Sequence, residues 1–111
     1  MLEIIGTKKD KETAKAVRYM KERRIPFSFI DLSERKELPE KIWKSIFASV
    51  DDASDLIDSS SRFFRDNGYQ WREYSPEAEL REHPELLKLP VLRIGQRAHA
   101  GFSEAFIKEV L

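Results

Sequence analysis

The sequence predicts one α/β domain whose mixed four-stranded sheet is built in two parts, β-α-β and β-β-α, with a helical subdomain inserted between them. Three observations lead to this prediction: strand and helix patterns alternate at the start, helical segments fill the middle, and two strands with a final helix close the chain. A chain of 111 residues fits one domain. We expect the sheet core at about 1–38 and 88–111, and the insertion at about 39–87.

The first part of the chain has the pattern of a strand–helix–strand unit. Residues 2–5 form a short apolar run that predicts a buried strand. Asp10 is predicted to cap a helix over 11–24, because its carboxylate can accept from the free amides of the first turn. Pro26 ends that helix, and alternating residues predict a second strand over 27–31. Because the crossover is a helix, the two strands should be parallel.

The middle of the chain is predicted to form several separate helices. A helix begins at Pro39, after which apolar residues recur at spacings of three and four. Two short helical pieces are expected around 56–57 and 62–65. A serine followed by proline predicts the start of a helix over 76–83, with one more turn at 85–88.

The last third changes to a strand period. Residues 89–94 are predicted as a strand, and Gly95-Gln96 has the order of a type II′ turn, which needs glycine first. Residues 97–101 form the returning strand of the hairpin. Ser103 is expected to cap a final helix with one apolar face.

Composition excludes several classes of function. The chain has no cysteine, so it can form no disulfide, thiolate nucleophile or zinc–sulfur site. Twenty basic residues balance twenty acidic ones, which argues against direct nucleic-acid binding. No apolar run approaches the length of a membrane span, and we expect a cytoplasmic location.

Four stretches cover nearly the whole chain in an order and spacing that identify a family. They are Ile5–Lys9 before a helix, Arg24–Phe27, Glu82–Leu87 before Leu89–Val91, and Ala100–Glu104. Together they resemble the arsenate reductase (ArsC)/Spx family of the thioredoxin-like superfamily. The resemblance implies a thioredoxin-like fold.

The resemblance also implies where an active site would lie, and this sequence departs from the family there. The family's cysteine position falls on Asp10, and the second position of its motif falls on Thr13. An arginine that helps hold the oxyanion would fall near Ser60, and the arginine before the family's proline falls on Leu89. The proline itself is present as Pro90, and by resemblance its peptide bond is cis.

These departures predict a loss of chemistry. A helix N-terminus can stabilise a thiolate, but here both the sulfur and the two cations are missing. We therefore expect neither arsenate reductase nor disulfide oxidoreductase activity, and no cofactor. Asp10 could act as a general base, although a helix cap is the interpretation we favour. Lys8, Lys9 and Lys11 could contact an anion or a partner, or could simply be a solvated loop.

The two histidines and the aromatic residues of the predicted insertion are assigned structural roles first. We expect no metal site, because His83 and His99 lie without a spaced carboxylate or a second histidine, and His83 is assigned to helix-end packing. The aromatic residues of the insertion are predicted to form its core, or in part a partner surface. They are Trp43, Phe47, Phe63, Phe64, Tyr69 and Trp71.

Two functions stay open at this point, beside a third hypothesis that the chain is a retained structural relic with no small-molecule ligand. The first is a non-catalytic protein-interaction or regulatory module, for which Spx suggests an RNA polymerase subunit as partner by analogy. The alternative is an enzyme related to thiol transfer that binds glutathione as an external thiol, beside Pro90.

Overall fold

The computed structural model describes residues 1–35 and 37–111. Its strands form one sheet in the order β2-β1-β3-β4. The strands are β1 (Leu2–Gly6), β2 (Phe27–Asp31), β3 (Val91–Ile94) and β4 (Arg97–Ala100). The α-helices of the described residues are α1 (Lys11–Glu22), α2 (Glu40–Ala48), α3 (Arg62–Asp66), α4 (Pro76–Glu82) and α5 (Glu104–Val110).

The sheet is mixed, as the sequence predicts. Strand β1 pairs with β2 in parallel, with Leu2 opposite Phe27, because helix α1 returns the chain to the start of the sheet. Strands β1 and β3 are antiparallel, as are β3 and β4 of the hairpin. Gly95 at the hairpin turn has a φ of 60°, which the first position of a type II′ turn requires. The β-α-β and β-β-α parts therefore meet between β1 and β3.

Each face of the sheet carries its own apolar core. On one face, Leu2, Ile4 and Leu92 pack with residues of α1 and α5. On the other face, Ile5 and Val91 pack with α2 and the rest of the chain between β2 and β3. The strands thus bury both faces, while β2 and β4 form the edges of the sheet.

Several element boundaries differ from those predicted. The piece expected at 56–57 is a 3-10 turn over Ala53–Leu56, and the turn expected at 85–88 is a 3-10 turn over Pro84–Leu86. A further 3-10 turn over Tyr69–Trp71 was not predicted. Strand β3 begins at Val91 rather than at residue 89, since Pro90 has no N–H to donate to a ladder.

The aromatic residues of the insertion follow the prediction of a core, with one exception. Trp43 and Tyr69 are buried, and Phe64 packs beside Tyr69 with ring centroids 5.7 Å apart. Trp71 is 85% exposed. No helix of the described residues combines the length and the apolar character that crossing a membrane would need.

Helix α1 ends in a left-handed residue that is not glycine. The N–H of Ile25 donates to the carbonyl of Met20 (2.9 Å), and the N–H of Arg24 donates to that of Lys21 (3.2 Å). This is the Schellman pattern, which places Arg24 at the C′ position with a φ of 55°. A side chain in this conformation costs roughly 1–2 kcal/mol, which glycine avoids.

We expect Arg24→Gly to raise the free energy of unfolding by about 0.5–1 kcal/mol, because relief of the left-handed strain exceeds the added chain entropy. Urea denaturation measures the change. Lys15→Gly, in the middle of the same helix, should instead lower it by about 1 kcal/mol. A lower stability for Arg24→Gly would contradict the strain argument.

The insertion is linked internally by a buried tyrosine. The hydroxyl of Tyr69 donates to Oε1 of Glu79 (2.7 Å), and Arg72 lies over the Tyr69 ring. Burial, and then the hydrogen bond to Glu79, raise the pKa of Tyr69 from 10.0 to about 12. The folded protein therefore favours the neutral phenol.

This raised pKa predicts a pH dependence. The stabilisation is complete below pH 10, where Tyr69 is neutral in both states, and is lost as the pH rises from 10 towards 12. The loss is about 2–3 kcal/mol. Chemical denaturation across this range should show a steeper decline for the native chain than for Tyr69→Phe, and parallel curves would refute the assignment.

Candidate functional site

The position to which the resemblance assigns the family's cysteine lies at the start of α1. Asp10 precedes the helix with φ −75° and ψ 127°, the extended geometry of an N-cap. Its Oδ2 accepts hydrogen bonds from the N–H and from the hydroxyl of Thr13, both at 2.8 Å. The interpretation of Asp10 as a helix cap is thus confirmed.

Thr13 lies beneath this cap and against the first strand. It is 1% exposed, and its hydroxyl is held by Asp10. A Cβ added at Gly6 would lie 2.4 Å from Oγ1 of Thr13, so only glycine lets the strand approach the helix this closely. Thr13 therefore serves the junction between β1 and α1.

The remaining family positions lie in two separate turns. Ser60 is exposed, and its N–H (3.0 Å) and hydroxyl (2.6 Å) both donate to Oδ1 of Asp58. The Leu89–Pro90 bond is cis, as the resemblance implies, and the carbonyl of Pro90 accepts from the N–H of Gly101 (2.8 Å). Neither Ser60 nor Leu89 offers a positive charge.

A cavity of about 390 Å³ lies among these segments. Asp58 and Leu89 line it, together with residues that the sequence did not single out. The charged residues around it are Glu12, Lys15, Asp58 and Lys88, two acids and two bases. Such a lining suits a ligand that carries both signs of charge better than a simple anion. Several lining residues are close in sequence to positions that were singled out: Glu12 is next to Thr13, and Lys88 is next to Leu89.

The lysines near Asp10 do not form one site. Lys8, Lys9 and Lys11 are all exposed. Lys8 lines a groove between α1 and β2, on a different side of α1 from the cavity beside Leu89. Their role in binding an anion or a partner stays a prediction.

A cluster with metal-ligand spacing was missed by the sequence analysis. Ligand atoms of Glu79, Glu82 and His83 lie within 4.8 Å of one another, because positions i, i+3 and i+4 share a helix face. The statement that His83 lacks a spaced carboxylate was therefore wrong. Oε1 of Glu79 already accepts from Tyr69 and pairs with Arg72 (3.4 Å). His83 ends α4 and packs on Phe63, with ring centroids 5.3 Å apart, as expected.

A second cavity, of about 500 Å³, lies between α2 and the β3–β4 hairpin. Lys41, Lys44 and Arg93 line it. Arg93 is not free to bind an anion, because it pairs with Glu3 and its Nε donates to Oγ of Ser45 (3.0 Å). The two exposed lysines are the only charges left at this mouth among the lining residues.

The comparisons with known proteins find relatives by structure alone. No family model matches the sequence, and no curated protein matches it. The solved structures include an arsenate reductase from Vibrio cholerae, at 15% identity and a TM-score of 0.78 over 99% of this chain and 97% of that one. The chain has the ArsC-like, thioredoxin-like fold.

Two further solved structures share this ArsC-like fold. The YffB protein matches with a TM-score of 0.80 at 17% identity, over 100% of this chain and 99% of that one. An arsenate reductase (ArsC) related protein from Brucella melitensis matches with a TM-score of 0.68 at 20% identity, covering 97% and 92%. At these identities the likeness establishes the fold.

The ArsC-like fold predicts how a cysteine introduced in place of Asp10 should ionise. In Asp10→Cys, the helix dipole and the free amides should lower the thiol pKa at least one unit below the ordinary value of about 8.5. The pH dependence of iodoacetamide alkylation measures it. Arg23→Cys, at the opposite end of α1, is the control and should titrate at or above 8.5. Equal values would show that this helix end no longer stabilises an anion.

Proposed function

We propose that this chain is a non-catalytic ArsC-like protein that acts as a protein-interaction or regulatory module. One observation carries the proposal: the carboxylate of Asp10 occupies the helix terminus where a thiolate would be held. A chain with no cysteine supplies no thiolate elsewhere.

The chemistry of the site agrees with this proposal. A carboxylate at the helix terminus repels an anionic substrate, and the amide of Thr13 is already bonded to it. Ser60 and Leu89 give no positive charge to stabilise an oxyanion. A thiol-dependent arsenate reduction assay should therefore show no turnover above blank, and measurable turnover would overturn the non-catalytic assignment.

The proposed interaction surface includes Trp71. Its side chain is 85% exposed on a 3-10 turn, while the neighbouring Tyr69 is buried. Tryptophan is enriched among the few residues that carry most of the binding energy at protein interfaces. An RNA polymerase subunit is the partner that the Spx analogy suggests. A cysteine-less chain cannot carry a thiol-based redox switch, so regulation would have to act through binding.

Affinity capture from a lysate of the native organism tests this function. The native chain should recover a specific partner, and Trp71→Ala should lose at least tenfold of it, because a large apolar contact is removed. Gln70→Ala, on the same turn, is the control and should retain the partner. If the native chain captures nothing beyond background, the interaction role is refuted.

The cavity beside Leu89 favours one alternative function. Its two acids and two bases could accommodate glutathione, which carries both signs of charge, as an external thiol. Calorimetric titration with glutathione should then give heat that Lys15→Ala and Lys88→Ala each reduce. Absence of heat and of any melting shift would dismiss the alternative. A cytoplasmic location suits either function and stays a prediction.

A further inference from the structure

Strand β2 is an edge strand, and no described segment of the chain pairs with its outer side. The N–H of Leu32 donates to the carbonyl of Gly6 (2.9 Å). Because every second residue of a strand directs its backbone groups to the same side, the backbone groups of Ser28 and Ile30 also face β1. The backbone N–H and C=O groups of Phe27 and Phe29 consequently face away from the sheet.

These outward groups have no backbone partner in the described part of the chain. Asp31 also faces outwards, but its carbonyl accepts from the N–H groups of Glu34 (3.1 Å) and Arg35 (2.9 Å). Folded proteins usually protect such an edge with lysine, proline or a covering segment. The five residues of β2 contain neither lysine nor proline, so Phe27 and Phe29 present two donors and two acceptors at an unprotected edge.

An apolar groove runs beside this edge. It has a volume of about 500 Å³ and lies between α1 and β2. Ala14 and Val17 form its wall on the helix, and the half-buried rings of Phe27 and Phe29 form its wall on the strand. A strand added to β2 would place every second side chain on this face, above the groove.

The charges at the groove are mainly positive. Lys8, Arg18, Lys21 and Glu22 line it, and Arg18 and Glu22 approach each other at 4.0 Å. Lys8 and Lys21 form no salt bridge with any described residue. Lys8 lies near Asp31, whose pKa is lowered mainly by hydrogen bonds from Ser33 and in part by this lysine. Because α1 runs antiparallel to β2, Lys21 lies at the Phe27 end of the groove and Lys8 at the other end.

A second copy of the chain fits this edge poorly. Two β2 strands paired about a twofold axis would be antiparallel, with Phe27 opposite Phe29 of the other copy. Lys21 of one copy would then approach Lys8 of the other, at both ends of the interface. Like charges facing each other at two places oppose self-association.

We propose that β2 and the groove beside it bind an extended peptide segment of a partner protein, which adds a fifth strand to the sheet. The segment carries apolar residues at alternate positions for the groove, and Asp or Glu towards its ends for Lys8 and Lys21. This inference rests on the proposed function and names a second binding surface, separate from Trp71. The open backbone supplies hydrogen bonds, the groove selects alternate side chains and the two lysines select the flanking charge.

Selection from a phage-displayed library of random peptides about seven residues long tests the proposal. Enriched peptides should alternate apolar residues and end in acidic ones, and a synthetic copy should shift the NMR amide signals of residues 27–31 on titration. Two methylated versions of the peptide are compared, each methylated on the backbone nitrogens of every second residue but at opposite sets of positions. The version that lacks the N–H groups facing β2 should bind at least tenfold more weakly.

Charge-reversal variants supply the matched comparison. Lys8→Glu/Lys21→Glu should weaken the selected peptide at least tenfold at low salt. Lys41→Glu/Lys44→Glu makes the same change in net charge on the other face and should bind as the native chain does. Thermal unfolding confirms that both variants are folded. If no peptide is enriched, if the signals that move lie elsewhere, or if both variants bind equally, the proposal is overturned.

Sedimentation distinguishes a second copy of the chain at this edge from the proposed peptide. A monomer across the concentration range supports the peptide, whereas a dimer that the selected peptide fails to dissociate overturns it in favour of a second copy. A partner captured equally well by the native chain and by Lys8→Glu/Lys21→Glu would leave the interaction function standing while refuting this surface. Failure of the function itself would appear as the absence of any partner for the native chain.

Discussion

The junction between β1 and α1 is the constraint on which the rest of the molecule depends. Asp10 accepts two hydrogen bonds from Thr13, and Thr13 fills the space that Gly6 leaves against the strand. This contact fixes the direction in which α1 leaves the sheet, and therefore the parallel return into β2. The same carboxylate that holds the junction closes the helix terminus to an external anion, so stability and the absence of a thiolate site have one physical origin.

The chain has the ArsC-like fold although it shares few residues with the solved structures that it matches. The hairpin, the turn before β3 and the helices between β2 and β3 match solved ArsC-like structures over nearly their whole length, at identities below 25%. Packing of the two faces of the sheet requires apolar residues of about the right size, which many sequences can provide. Catalysis requires particular atoms at particular points, and a single change of side chain removes it. Proteins that share a fold therefore need not share a reaction.

The features that suggest binding lie in three different parts of the molecule. Trp71 is exposed on the insertion, the open edge of β2 lies on the far side of the sheet from the hairpin, and the mixed-charge cavity lies beside Leu89. An edge strand with two free donors and acceptors is normally a liability for aggregation. In the proposed binding mode, the lysines at both ends of its groove would oppose pairing with identical copies and would favour an acidic segment.

Local patterns in the sequence determined the order of the strands and α-helices, the cap at Asp10 and the hairpin turn at Gly95, because each depends on residues a few positions apart. Helix α1 ends at Glu22, two residues before the end that the sequence predicted. The absence of sulfur chemistry also follows from the sequence, since it needs only a count. Tertiary structure alone decided the exposure of Trp71, the pairing of Arg93 with Glu3 across 90 positions, and the grouping of Lys15, Asp58 and Lys88 around one cavity. These depend on how distant segments pack, and no spacing along the chain encodes which side chains will meet across a sheet. The cluster of Glu79, Glu82 and His83 lies between the two cases: its helical spacing was visible in the sequence, but the engagement of Glu79 by Tyr69 was not.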